Sequence, residues 1–172
     1  MKNLKIKTTI FALFVVAAIV VLAEQPIPNR LIDYKEFQRI VTSSADEREA
    51  HRLTERQFIT AMADRSAVLL DARTSSKYDM RHIRGAVNLQ FTDFTAETLA
   101  GVIPAKGTKV LIYCNNNFEG AQKSFPSKNA SASLNLSTYT SLKSYGYTNI
   151  FELGPLLNTS RTEIPFDGTE TK

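Results

Sequence analysis

Apolar and polar positions change their period several times along this chain, and each change marks an element. Asp33 as a cap, Glu36 three residues on, and Ile32 and Phe37 at staple spacing predict a helix running to about Val41. The mixed charges from Thr42 to Arg52 read as a solvated connector or exposed helix. Thr54 and Gln57 form a second capping pattern, opening a helix with Phe58, Ile59 and Met62 on one face. Ala67 to Leu70 is then an unalternating apolar run, the form of a strand covered on both faces, and it ends in Asp71-Ala72-Arg73.

A short helix or turn from Tyr78 to Ile83 leads through Gly85 to a brief strand, Ala86 to Leu89. Thr95 to Leu99 starts a helix that Gly101 and Pro104 end. Lys109 to Tyr113 is the strongest strand signal, and Cys114 lies directly at its end. Asn115 to Gly120 reads as a loop, and residues 121–133 continue without periodicity, a length expected of a functional or mobile segment. Leu134 to Tyr145 predicts a helix capped by Gly146, and Asn149 to Leu153 a last strand. The tail from Asn158 is polar and expected to fray. Strands alternating with helices predict an α/β fold: an open, largely parallel sheet flanked by helices.

Composition, at 172 residues, 43% hydrophobic and 22% charged, fits one ordinary globular domain. The N-terminus changes the charge picture. Lys2, Lys5 and Lys7 precede an uncharged run from Ile10 to Ala23, followed by Glu24, Gln25 and Pro26, the pattern of a secretory signal cut after Ala23. An uncleaved anchor is the alternative, but the run is shorter than the ~20 residues that cross a bilayer. Cleavage takes three lysines and no acid, leaving 149 residues with 18 basic and 17 acidic groups, a formal charge of +1. The expected location is thus exported, periplasmic or secreted, with no membrane attachment after cleavage. No basic stripe interleaved with aromatics supports nucleic-acid binding.

The single cysteine excludes a disulfide-stapled miniprotein and a cysteine-rich metal site. Cys114 and Asp71 both fall at carboxyl ends of predicted strands, where open α/β sheets bind ligands. Backbone N–H groups free of a ladder can cradle an anion there and favour a thiolate. A free cysteine is equally at home as a small buried hydrophobe.

Leu69-Leu70-Asp71-Ala72-Arg73, followed by Tyr78, His82-Ile83, Gly85-Ala86 and Asn88, resembles the first signature of rhodanese-like domains. Val110 to Cys114 resembles the second, and Gly146-Tyr147 with Asn149 to Gly154 the closing elements. The resemblance covers roughly Leu53 to Gly154. Taken with the charge and hydropathy pattern on either side, it divides the chain into an expected signal peptide at 1–23, an N-terminal helical extension at 24–52, a rhodanese-like domain at 53–157 and a polar tail at 158–172. It also implies a sulfurtransferase or persulfide carrier in which Cys114 takes a sulfane sulfur from a small sulfur-containing anion and passes it to an acceptor thiol, without metal or organic cofactor. The loop Asn115, Asn116, Asn117, Phe118, Glu119 and Gly120 would hold the anion. Asp71 and Arg73 would brace the loop, and His82 would be structural. No protein partner is indicated.

Glu119 stands where family members active on thiosulfate usually carry a basic residue, and an acid there would repel anionic donors. Lys123, Arg81 and Arg84 are the nearest compensating cations in sequence. A catalytically weak binding module is therefore the alternative reading. Phosphatase chemistry lacks a loop arginine, and a redox sensor lacks a resolving cysteine. Asn129, Asn135 and Asn158 begin Asn-x-Ser patterns that short polar stretches produce by chance.

Overall fold

The computed structural model describes residues 27–171, so the expected signal segment at 1–23 lies outside the described residues. Residues from Asp33 onward form one compact unit; the described residues before it, 27–32, close a turn with the Ile32 N–H on the Asn29 carbonyl at 3.1 Å. Among the described residues no helix is long and apolar enough to cross a membrane.

The chain runs α1 (Tyr34–Ser43), α2 (Ala45–Ala50), β1 (Arg52–Leu53), α3 (Glu55–Met62), β2 (Val68–Asp71), α4 (Ser75–Met80), β3 (His82–Ile83), β4 (Val87–Asn88) and α5 (Ala96–Val102). It continues with β5 (Val110–Tyr113), β6 (Phe118–Glu119), α6 (Leu134–Ser144), β7 (Ile150–Leu153), β8 (Leu157–Asn158) and β9 (Phe166–Asp167). A five-stranded sheet has the order β1-β7-β5-β2-β4, parallel throughout.

Local chemistry explains the helix boundaries. Thr54 and Gln57 close a reciprocal capping box on α3, and Thr95 and Thr98 do the same on α5. At the end of α6, the Tyr147 N–H bonds the Leu142 carbonyl at 3.0 Å and the Gly146 N–H the Lys143 carbonyl at 2.9 Å. This is a Schellman closure, and Gly146 takes the φ of +84° that it requires.

The period of two along each strand sorts side chains between two cores. Leu69, Leu111 and Tyr113 face α3 and pack with Phe58, Phe118, Phe125 and Ile164. Leu70, Val110 and Ile112 face the other way, toward Leu99, Tyr139 and Leu142. Because β2 and β5 are adjacent and parallel, Asp71 lies in register with Tyr113, one residue before Cys114.

Two expectations are corrected. The tail does not fray: β8 pairs with β6, β9 with β3, and Ile164 is buried in the first core. Isolated apolar side chains at Ile164 and Phe166 are enough to bury this segment once they meet Phe118 and Phe125. The aperiodic stretch 121–133 is pinned rather than open, with Phe125 fully buried, the Ser124 carbonyl held by Arg73 and Asn116 bonded in both directions to the Lys128 backbone.

Candidate functional site

Cys114 sits where the strongest strand ends, and the turn that follows is built by side chains. Asn115–Asn117 form one 3-10 turn, with the Asn117 N–H on the Cys114 carbonyl at 3.2 Å. Asn117 Oδ1 accepts the Cys114 N–H at 2.8 Å and Asn135 Nδ2 at 3.1 Å, while its own Nδ2 donates to the Leu153 and Pro155 carbonyls at 2.7 and 3.3 Å. One asparagine thus ties the cysteine to α6 and to the end of β7.

The six residues expected to cradle an anion do not stay together. Asn115, Asn116 and Asn117 remain beside Cys114; the Asn117 N–H is shared between the Cys114 carbonyl and the Cys114 side chain, while the Phe118 N–H is used inside the turn on the Asn115 carbonyl. Phe118 turns away into the core, its ring 4.6 Å from that of Phe125 and 5.1 Å from that of Phe166. That burial pulls Glu119 and Gly120 along β6, where the Glu119 carboxylate lies 3.5 Å from Asn158 Nδ2. Glu119 is not on the wall of the cavity that Cys114 lines. The acid expected to oppose the thiolate is directed elsewhere.

The thiol is 1% exposed and borders a cavity of about 280 Å³ walled also by Arg48, Arg52, Ser133, Asn135 and Glu152. Ser133 is the N-cap residue of α6 yet makes no side-chain cap bond; its Oγ lies 3.4 Å from Cys114 Sγ. Lys123, Arg81 and Arg84 are drawn off to the C-terminal segment, where they meet the Glu170 carboxylate, the Glu170 carbonyl and Asp167. The cations at the cavity are instead Arg48 and Arg52, held 2.6 and 3.2 Å from Glu152 Oε1. Both come from the stretch read as a solvated connector. An acid inside the otherwise apolar Ile150 to Leu153 run was the available signal, because a charge carried on a buried strand demands a cation.

Burial pushes Glu152 above its ordinary value of 4.5, against the downward pull of Arg48 and Arg52. Between 4.5 and the raised value the folded chain holds more protons than the unfolded one, so this carboxyl's contribution to stability falls as pH rises through that window and then levels. Urea midpoints compared across that window for the native chain and Glu152→Gln should show the extra slope only in the native chain; parallel profiles would refute it.

Asp71 and Arg73 brace the site from the side. The Asp71 carboxylate accepts Arg73 Nε at 2.9 Å, Arg73 Nη2 at 2.5 Å and the Tyr113 hydroxyl at 2.5 Å. Burial, reinforced by Asp71, holds the Tyr113 phenol well above its ordinary value, so it remains a donor. Arg73 also donates to the Ser124 and Arg81 carbonyls at 3.0 and 2.8 Å. His82 donates from Nδ1 to the Tyr78 carbonyl at 2.7 Å and stacks on that residue's ring at 3.7 Å, a structural arrangement.

A family model described as rhodanese-like domain matches residues 54–153. The solution structure of the rhodanese-like domain from an Anabaena protein is 18% identical, with 71% of this chain and 82% of that one covered and a TM-score of 0.52. A Bacillus halodurans protein is 13% identical over 77% and 88% of the two chains, with a TM-score of 0.53. A structure of EanB in complex with hercynine is 16% identical over 68% of this chain and 27% of that one, at 0.51. At such identities the likeness is one of fold. A comparison with curated proteins found no match.

Proposed function

Because this chain belongs to the rhodanese-like domain family, we propose that it is an exported sulfurtransferase or persulfide carrier in which Cys114 bears the transferred sulfur. The observation that carries this reading is the placement of Cys114 at the carboxyl end of β5, on the wall of a cavity and beside the Ser133 hydroxyl. The thiolate takes the outer sulfur of a donor, and the Ser133 hydroxyl donates to the sulfur that carries the charge. An acceptor thiol then removes the sulfur and restores Cys114. Export rests on the charge and hydropathy pattern of residues 1–23. The partners are small sulfur compounds, not nucleic acid and not a membrane.

Intact-mass measurement of the mature chain after incubation with sulfane-sulfur donors tests the proposal. One added sulfur atom is expected on the native chain and none on Cys114→Ser. No added sulfur with any donor would refute sulfur transfer. A binding module is the second reading, favoured by a thiol that is only 1% exposed and a loop without a basic residue. It would prevail if Cys114→Ser left the protein's biological effect intact.

A further inference from the structure

The Cys114 sulfur is 1% exposed, so a donor and an acceptor thiol reach it only if something moves. The elements around it are held very unequally. Asn117 is fixed by four side-chain hydrogen bonds, Glu152 and Leu153 lie in the parallel sheet, and Arg48 and Arg52 are paired with Glu152. Residues 126–133 have no such anchors. Ser127 to Ala132 are all exposed and belong to neither core. Apart from the Leu136 N–H on the Ser133 carbonyl, which opens α6, three hydrogen bonds leave this stretch among the described residues. The Lys128 carbonyl accepts Asn116 Nδ2 at 2.9 Å, the Lys128 N–H donates to Asn116 Oδ1 at 3.0 Å, and the Ser133 hydroxyl meets Cys114 Sγ at 3.4 Å. Ser133 is itself only partly buried, so it stands between that sulfur and solvent, with Ala130 beside it on the cavity wall.

We propose, resting on the sulfur-transfer reading above, that residues 126–133 are a strap latched over the Cys114 sulfur by the Asn116–Lys128 bond pair. Its ends are fixed: Phe125 is fully buried on one side, and Asn135, 5% exposed, is bonded to Asn117 on the other. Its middle keeps its own shape, since Asn129 Oδ1 accepts the Ser131 N–H at 3.0 Å and the Asn129 carbonyl the Ala132 N–H at 2.9 Å. Breaking the latch swings this turn outward as a unit and takes the Ser133 hydroxyl off Sγ. The open strap admits donor and acceptor in turn. The closed strap keeps the carried sulfur from water and passing thiols, and the cavity of about 280 Å³ leaves room for that sulfur behind it.

The exposure of the latch sets how often it opens. Both bonds lie at exposed positions, where water takes over the freed groups and the net worth of each bond is small. The open state is therefore a minor, regularly visited population, on the order of 0.1–10%. Such local opening is separate from global unfolding.

Alkylation of Cys114 by iodoacetamide, followed by intact mass on the mature chain, tests the strap without calling on sulfur transfer. The native rate is expected to be far below that of free cysteine and nearly flat in urea short of the unfolding transition, because opening the strap exposes little surface. Asn116→Ala, which removes both latch bonds, is expected to raise the rate about tenfold. Asn116→Asp, which keeps the acceptor for the Lys128 N–H, should raise it less. Trypsin cleavage after the exposed Lys128 should accelerate by the same factor as alkylation. A native rate equal to that of free cysteine, a rate that climbs with urea at the slope of global unfolding, or one that Asn116→Ala leaves unchanged would overturn the strap. So would faster alkylation without faster cleavage at Lys128, which would put the opening in the Asn115–Asn117 turn. Sulfur loading is a separate readout. The expected alkylation pattern with no loading from any donor keeps the strap and refutes sulfur transfer, and loading with an unresponsive Asn116→Ala does the reverse.

Discussion

Arg73→Met is expected to destabilise the fold by about 3–5 kcal/mol, the usual cost of leaving a buried charge without its partner. The Arg73 and Asp71 side chains are 1% and 0% exposed, so water cannot replace the lost guanidinium. The carboxylate would keep the Tyr113 hydroxyl and the Arg73 backbone N–H at 3.0 Å and lose every other donor named at it. The carbonyls of Ser124 and Arg81 would be orphaned with it, and the guanidinium that stands 4.3 Å over the Phe125 ring would be gone. Domains of this kind have about 5–15 kcal/mol in total, so denaturant unfolding should shift by a large fraction of the whole transition. The double change Asp71→Asn with Arg73→Met removes the stranded charge and should recover part of the loss. A single-variant cost below about 1 kcal/mol, outside the range for stranded buried charges, would mean that the pair is not what holds the 121–133 segment to the sheet.

The second large effect is expected at the C-terminal segment. Ile164→Ala should cost about 2–5 kcal/mol as a buried large-to-small change, because Ile164 is 2% exposed in the core with Phe118 and Phe125. Removing residues 158–172 should cost more. It uncovers those aromatic rings, strips β9 from β3, and removes Thr162, whose hydroxyl donates to Glu55 Oε1 at 2.5 Å. Thermal unfolding of the shortened chain, with a hydrophobic dye as a second readout, measures this directly. A shortened chain that melts with the full one would show that the segment only rests on the surface.

What could be read from the sequence was what is decided within a few residues. Thr54 and Gln57 announce α3 because both halves of the capping box lie within one turn. Val110 to Tyr113 announces β5 because a short unalternating apolar run with Val, Ile and Tyr after a Lys106-Gly107 turn is the form of a strand covered on both faces, and all four side chains are buried. The position of Cys114 followed from that strand. The course of the loop after it did not, because it depends on where Phe118 packs, and its partners Phe125 and Phe166 meet it only in the folded chain. Arg48 was hidden for the same reason, since its partner Glu152 lies 104 residues away and a mixed-charge stretch has the appearance of a wet surface. The tail was misread because two apolar residues in a polar run carry no period, although burial needs none.

The contribution of β1 to the cavity bears on how the protein is best handled at the bench. A chain cut to the matched residues 54–153 would begin after Arg52 and Leu53, losing the edge strand that lies in register with Glu152 and Leu153. It would also lack Arg48, β8 and Ile164, so Glu152 would stand unneutralised and one core would open. Assays on such a fragment would report on a damaged thiol site, and a negative result from it would say nothing about Cys114 in the whole chain.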